Sequence, residues 1–133
     1  MLNFNGIDHI NMNVKNLEES VSFYKKLFGF EVKEKGNFSF KEVPFAIIGK
    51  SGLGMLCLYE KKDLKENDKS HFAHIGFNID FIPNLIQKLK ELKVEIVSYN
   101  DSGIIDYPES QSIYIKDPSG YEIELSKSFA GKL

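Results

Sequence analysis

Residues 72–80 read FAHIGFNID and residues 7–15 read IDHINMNVK, so the chain contains a similar strand-like stretch twice. Aligning His9 with His74 pairs HINMNV with HIGFNI at a separation of 65 residues, about half of the 133-residue chain. A repeat of this length indicates a duplicated supersecondary unit. The repeat therefore predicts a fold built from two similar modules.

A helical pattern follows the first copy of the repeat. In residues 16–29, NLEESVSFYKKLFG, Asn16 can cap the helix, Glu19 can complete a capping box and Gly29 can end the helix. Apolar residues recur at the spacing of one helical face. These residues are Leu17, Val21, Tyr24 and Phe28.

A similar pattern follows the second copy, in residues 80–93, DFIPNLIQKLKELK. Asp80 is the expected N-cap, and Pro83 is tolerated in the first turn of a helix. The expected apolar stripe consists of Ile82, Leu85, Ile86, Leu89 and Leu92. We therefore predict a helix in each half of the chain.

Three strand-like runs follow each predicted helix. They read FEVKEK, a run ending in FAIIGK, and GMLCLYE in the first half, and VEIVSY, QSIYIKD and GYEIELS in the second. Turn residues separate the last two runs in each half, SGLG in one and DPSG in the other. Each half therefore reads βαβββ, and we predict an α+β fold with two tandem βαβββ modules.

The expected organisation is a single domain over residues 1–133. Module one covers about 1–60, a charged and solvated linker covers about 60–70, and module two covers about 71–127. The segment at 99–110 is long enough to form a lid, although an ordinary surface loop is the default expectation for such a segment.

Charge and composition exclude several classes of partner. Lys and Arg number 17, Asp and Glu number 19, and the net charge is -2, so neither nucleic acid nor an anionic membrane is an expected partner. A small molecule is expected instead. Cys57 is the single cysteine, which excludes an internal disulfide and fits a reducing compartment. No signal peptide or apolar run of membrane-spanning length is present, so we expect a cytoplasmic protein.

The two repeated histidines lie on the polar faces of their strands. Alternate residues of a strand share a face, so His9 lies opposite the apolar face, and His74 does the same in the second half. The last strand places Glu122 and Glu124 together on one face. A lone strand histidine is usually a core or surface residue. Two histidines in equivalent frames with a neighbouring carboxylate instead indicate a 2-His-1-carboxylate metal site with open coordination positions.

Three segments of the chain resemble the signature regions of the vicinal oxygen chelate superfamily. They are residues 7–32, IDHINMNVKNLEESVSFYKKLFGFEV; residues 74–79, HIGFNI; and residues 112–126, SIYIKDPSGYEIELS. This superfamily includes glyoxalase I, fosfomycin-resistance proteins, extradiol dioxygenases, methylmalonyl-CoA epimerase and bleomycin-resistance proteins. The resemblance implies two modules that form a U-shaped half-barrel around one divalent metal ion, Zn, Ni, Mn or Fe, usually in a homodimer. It assigns the metal ligands to His9, His74 and Glu124, with Glu124 also as the catalytic carboxylate.

The internal repeat identifies Cys57 as the counterpart of Glu124, by pairing LCL at 56–58 with IEL at 123–125. Glyoxalase I has a second glutamate at this position, and a thiol does not replace a carboxylate base without a matched pKa. The sequence therefore argues against lactoylglutathione lyase activity. A set of three ligands agrees with fosfomycin-resistance proteins and extradiol dioxygenases. The short tail SKSFAGKL lacks the basic segment that follows this strand in fosfomycin-resistance proteins, which argues against fosfomycin as the substrate.

Strand parity and the resemblance suggest further residues for the pocket. The candidate substrate-binding residues are Asn11, Met55, Cys57, Tyr59 and Tyr114. For each of them, packing or a structural hydrogen bond explains its position equally well. Cys57 is a candidate fourth ligand, although a buried inert thiol is the commoner role. The third histidine, His71, is expected at the surface.

Two classes of function follow from these observations. The first is a divalent-metal-dependent enzyme, a lyase, an isomerase or a catalyst of thiol or nucleophile addition, acting on a small oxygen-chelating substrate. A thiol cosubstrate is compatible with this class, and Fe(II) in the same site would instead support extradiol-type dioxygenase chemistry. The second class is a metal-free binding protein of the bleomycin-resistance type.

Overall fold

The computed structural model describes residues 9–38, 42–65, 74–97, 99–106 and 111–127. The chain divides into two compact units, Met1–Lys65 and Glu66–Leu133. The first unit contains β1 (His9–Val14), α1 (Leu17–Phe28), β2 (Glu31–Phe38), β3 (Val43–Lys50) and β4 (Gly54–Glu60). The second contains β5 (Ile75–Asn78), α2 (Leu85–Glu91), β6 (Glu95–Val97), β7 (Ile105–Asp106), β8 (Gln111–Lys116) and β9 (Glu122–Lys127).

The two units have the same sheet topology. The first sheet has the order β1-β4-β3-β2, and the second has the order β5-β9-β8-β6, with β7 paired to β8. In each sheet the first strand runs parallel to the last strand, and the other pairs are antiparallel. The predicted α+β class with two βαβββ modules is confirmed. The strand β7 lies in the segment predicted as a loop, and its two residues are too few for a periodic pattern.

Helix α1 begins and ends where its capping residues predict. The side chain of Asn16 accepts a hydrogen bond from the Glu19 amide at 3.0 Å, and Gly29 ends the helix with a left-handed φ of 68°. The Leu17 amide also donates to Oε2 of Glu60 at 3.0 Å. This bond satisfies an otherwise unpaired amide of the first turn and connects the helix to the end of β4.

Helix α2 is shorter than predicted, and Asp80 is not its cap. The helix begins at Leu85, and its N-cap is Asn84, which has a left-handed φ of 59° and makes no side-chain capping bond. Pro83 disfavours helical backbone at the residue before it, so the helix starts after a turn at 83–84. Of the predicted stripe, Leu89 is buried, whereas Ile82 and Leu92 are about half exposed.

The core lies on the apolar strand faces that alternation predicts. Met12 and Val14 are buried in β1, and Ile123 and Leu125 are buried in β9. The predicted linker lies only partly in the described chain, where Leu64 is buried. His71 lies outside the described residues, and the domain boundaries stay a prediction. In the described part of the chain, no helix is long and apolar enough to cross a membrane.

Candidate metal centre

Two of the three predicted ligands lie in contact in the second unit. His74 immediately precedes β5, and Glu124 lies in the parallel neighbour β9, where its Cα partner is Gly76. The Nε2 atom of His74 is 2.9 Å from Oε2 of Glu124. The Glu124 side chain is buried, whereas about a third of the His74 side chain is exposed. The pair therefore has a buried carboxylate and an accessible imidazole.

A serine holds the second oxygen of the Glu124 carboxylate. The hydroxyl of Ser112, a buried residue of β8, donates to Oε1 of Glu124 at 2.5 Å. Burying a carboxylate is costly unless both of its oxygens find partners. Ser112 and His74 supply these partners, and together they fix the orientation of the carboxylate.

Aromatic rings surround this pair on the same sheet face. Tyr114 lies opposite Glu124 in the β8–β9 register, and its ring packs edge-on against His74 with a centroid distance of 5.6 Å. Tyr99 packs edge-on against Tyr114 at 5.3 Å, and its hydroxyl donates to Oε1 of Glu122 at 3.0 Å. The candidate substrate residue Tyr114 is thus next to the His74–Glu124 pair.

The donor atoms and the space around them fit a divalent metal ion. Imidazole nitrogen and carboxylate oxygen are common ligands of Zn²⁺ and related ions. A Cβ atom added to Gly76, the residue opposite Glu124, would meet no other atom within 4 Å. Within the described ranges, no group of three or more His, Cys, Asp or Glu side chains is close enough to hold an ion. The His74–Glu124 pair therefore supplies two ligands and needs at least one more donor.

The remaining predicted ligand, His9, is the first residue of β1 in the other unit. It is exposed, and its Cα partner in β4 is Met55. Two positions further along the same strands, Asn11 pairs with Cys57. This register reproduces the pairing of Gly76 with Glu124, so Cys57 occupies in its sheet the position that Glu124 occupies in the other.

The environment of Cys57 differs from that of Glu124. Cys57 is buried, and a hydrogen bond between Cys57 and the Tyr59 hydroxyl raises the pKa of Tyr59 above its ordinary value, with electrostatic repulsion by Cys57 as the next cause. Phe45 stacks on Tyr59 at a centroid distance of 5.8 Å. Of the other candidates on this face, Asn11 and Met55 are exposed.

Sequence reasoning missed Ser112 and Tyr99. Ser112 lies two residues before Tyr114 in β8 and therefore on the same strand face. Because Tyr114 was a predicted pocket residue, strand alternation could have identified Ser112 as well. Tyr99 lies in a segment without a regular pattern, and no sequence signal placed it beside Tyr114.

Comparisons with known proteins identify the family of the chain. Residues 6–125 match the family model of the glyoxalase/bleomycin resistance protein/dioxygenase superfamily. The metallothiol transferase FosB of Lysinibacillus sphaericus is 34% identical over 122 residues, which cover 90% of this chain and 79% of the relative.

Solved structures share the fold. A mutant of the fosfomycin resistance protein FosX from Listeria monocytogenes, complexed with Mn(II) and 1S,2S-dihydroxypropylphosphonic acid, has a TM-score of 0.71, 22% identity, and coverage of 92% of this chain and 91% of its own. The trypanothione-dependent glyoxalase I of Leishmania major has a TM-score of 0.72, 20% identity, and coverage of 93% and 87%. The relatives point to an enzyme, which is the first of the two classes that the sequence left open. The chain belongs to the glyoxalase/bleomycin resistance protein/dioxygenase superfamily.

Proposed function

We propose that this chain is a divalent-metal-dependent enzyme that adds a thiol or another nucleophile to a small substrate with two vicinal oxygens. His74 and Glu124 hold the metal, and His9 is the third ligand. The observation that carries the proposal is the contact of 2.9 Å between the His74 imidazole and a buried carboxylate. The likeness to FosB, named a metallothiol transferase, favours thiol transfer over lyase or isomerase chemistry.

Each residue of the site has a defined task in this proposal. A bound divalent ion, Zn, Ni, Mn or Fe, supplies Lewis-acid polarisation of a substrate oxygen. Ser112 holds Oε1 of Glu124, so Oε2, which contacts His74, would be the oxygen that holds the ion. Tyr114, which packs against His74, contacts the substrate beside the ligands. Asn11, Met55, Cys57 and Tyr59 remain proposed substrate contacts from the first unit.

Metal content per subunit tests the proposal. Protein purified without oxygen should contain nearly one divalent ion per chain by elemental mass spectrometry, and His74→Ala should lose it. His71→Ala is the matched control, because His71 lies outside the proposed ligand set, and it should keep the ion. Zn, Ni or Mn supports the proposed chemistry, whereas iron with oxygen consumption supports a dioxygenase. A chain that takes up no ion after reconstitution is better explained as a metal-free binding protein.

We also propose a homodimer, in which His9 can come from either copy of the chain. Mixing His9→Ala with His74→Ala protein under exchange conditions distinguishes the two arrangements. If each site combines residues of both copies, random pairing restores about a quarter of the wild-type metal content. If each site belongs to one chain, the mixture stays without metal. A monomer in sedimentation equilibrium would contradict the dimer.

A further inference from the structure

Tyr99 presents an aromatic surface beside the candidate metal ligands. Its side chain is 59% exposed although it is a large aromatic residue. The ring packs edge-on against Tyr114, which in turn packs edge-on against His74. A T-shaped contact covers at most one face of a ring, so the other face of Tyr99 contributes to its large exposure and is available for a ligand. Tyr99 thus extends the aromatic surface away from His74 and Glu124.

The turn after Tyr99 is held by side-chain hydrogen bonds. Oδ1 of Asn100 accepts from the Gly103 amide at 2.8 Å, and the Asn100 amide group donates to the Ile104 carbonyl at 2.7 Å. The Ser102 hydroxyl also donates to the Ile104 carbonyl, at 3.0 Å. At the other end of the ring, the Tyr99 hydroxyl is bonded to Glu122. The ring is therefore held in position before a ligand binds, which reduces the entropy lost on binding.

The charges of this sheet face disfavour an anionic ligand. Glu95, Glu122 and Glu124 all lie on the face that carries Tyr114. Lys116 is the one lysine among the described strand residues of this face, and its Nζ atom lies 3.3 Å from Oε1 of Glu95. The metal ion would neutralise Glu124, so Glu95 and Glu122 are the carboxylates that repel an oxyanion at the Tyr99 end of the site, and Lys116, paired with Glu95, compensates little of that repulsion.

We propose that Tyr99 is a substrate-binding residue and that it selects an oxygen-chelating substrate with a flat, uncharged end over a phosphonate or phosphate. This inference rests on the proposed function, because it takes His74 and Glu124 as the ligands that anchor the chelating oxygens. The flat part of the substrate lies against the ring of Tyr99. Glu122 holds that ring and disfavours substrates that carry an oxyanion at this end of the site.

Two chelators that differ in shape and charge, maltol and phosphonoformate, test the proposal by calorimetry on the Mn(II)-loaded protein. Maltol releases its hydroxyl proton to solvent on chelation, so its single negative charge lies at the metal and the rest of its flat ring is uncharged, whereas phosphonoformate is a compact polyanion. Maltol should bind at least tenfold more tightly than phosphonoformate. Tyr99→Ala should weaken maltol binding about threefold to tenfold, the effect of losing one aromatic contact, and change phosphonoformate binding less than about twofold. Tyr99→Phe, which keeps the ring, should bind maltol nearly as the wild type does.

Two further variants separate stacking from charge. Glu122→Gln should strengthen phosphonoformate binding about twofold to fivefold, because the charge of a partly buried carboxylate is removed. Leu92→Ala is the control for Tyr99→Ala, since Leu92 is an apolar residue at the end of α2 that is about as exposed as Tyr99. It should leave both affinities unchanged.

The outcomes distinguish this proposal from the proposed function. Tighter binding of phosphonoformate, or equal losses of both ligands in Tyr99→Ala, would overturn the role of Tyr99 while leaving the metal site intact. If the wild type takes up no Mn(II) or other ion, the metal-dependent function fails, and the same titration is made with maltol on the metal-free protein. Maltol binding that depends on Tyr99 then still supports the aromatic site, and binding that does not depend on it overturns the inference.

Discussion

At the scale of single residues, Glu124 and Cys57 show how the two halves of the chain differ. They occupy equivalent positions in two sheets of the same topology. Glu124 is bonded by Ser112 and His74, whereas Cys57 is buried and interacts with Tyr59. The position in the second sheet therefore contains a hydrogen-bonded carboxylate, and the equivalent position in the first sheet contains a thiol. This difference concentrates the proposed metal chemistry on the second sheet.

Replacing Ser112 by alanine should weaken both metal binding and stability. The change leaves Oε1 of Glu124 without its described donor, which costs about 1–3 kcal/mol of the free energy of unfolding. Loss of such an orienting hydrogen bond typically weakens metal affinity about tenfold to a hundredfold. Urea unfolding and metal titration measure the two effects. Ser20→Ala is the matched control, because Ser20 is equally buried and its hydroxyl has no hydrogen-bond partner in the described structure. An equal loss in both variants would contradict the orienting role.

The Tyr59–Cys57 contact predicts a loss of stability at alkaline pH. The hydrogen bond with Cys57 raises the pKa of Tyr59 in the folded chain, so the folded state holds this proton more tightly than the unfolded state. The contribution of this contact to the free energy of unfolding is fully present below the ordinary tyrosine pKa, which is about 10. It is lost as the pH rises through the higher pKa of Tyr59 in the folded chain. Cys57→Ala should return the Tyr59 pKa toward its ordinary value, seen as earlier tyrosinate absorbance, and should flatten the alkaline decline of the urea midpoint. An unchanged titration would contradict the contact.

At the scale of elements, the two helices show when local signals decide a boundary. In α1 the cap at Asn16 and the stop at Gly29 agree with the tertiary contacts, and the predicted helix is observed. In α2 the predicted cap Asp80 lies before Pro83, and the helix begins only at Leu85. The predicted apolar stripe is only partly confirmed, because Leu89 is buried whereas Ile82 and Leu92 are about half exposed. Periodicity also contains no information about the backbone restriction that a proline places on the residue before it.

Substituting the glycine that ends α1 isolates the backbone contribution. Gly29→Ala should cost about 1 kcal/mol, because Gly29 has a left-handed φ and an added Cβ meets no atom within 4 Å. Gly76→Ala is the matched control, since its Cβ is equally free and its φ lies outside the left-handed range. It should not lower stability. Urea unfolding compares the two variants, and equal costs would show that backbone conformation is not the cause.

At the scale of the whole molecule, the chain forms two units with the same sheet topology. The first unit contains His9 at the start of β1, and the second contains His74 just before β5 and Glu124 in β9. The superfamily and the α+β fold are confirmed by the family match and by the sheets. The homodimer, the cytoplasmic location and dioxygenase chemistry stay predictions.

Metal binding should stabilise the folded chain as a whole. A ligand present at a hundred times its dissociation constant, and bound only by the folded state, raises the free energy of unfolding by about 2.7 kcal/mol. Thermal unfolding with added metal and after removal with a chelator measures this difference. The difference should vanish in His74→Ala and persist in His71→Ala. A wild-type chain whose unfolding ignores the metal would contradict the proposed ligand set.

The duplicated modules and the strand faces were predictable from local patterns alone. They were predictable because strand alternation, helical periodicity and capping are local properties, and because the repeat shows them twice. The same alternation was sufficient to place His9, His74 and Glu124 on polar faces. Cys57 was identified as the counterpart of Glu124 through the repeat, and the strand register agrees.

Which side chains meet around the carboxylate depends on how the strands and loops come together in the folded chain. The contact of Glu124 with Ser112 joins residues 12 positions apart across a strand pair, and its contact with His74 joins two strands that are distant in sequence. Tyr99 reaches Tyr114 and Glu122 from an irregular segment. Such contacts depend on sheet order and loop path, which local patterns do not encode. The polar face was therefore predictable, whereas the orienting serine and the aromatic surface beside it required the fold.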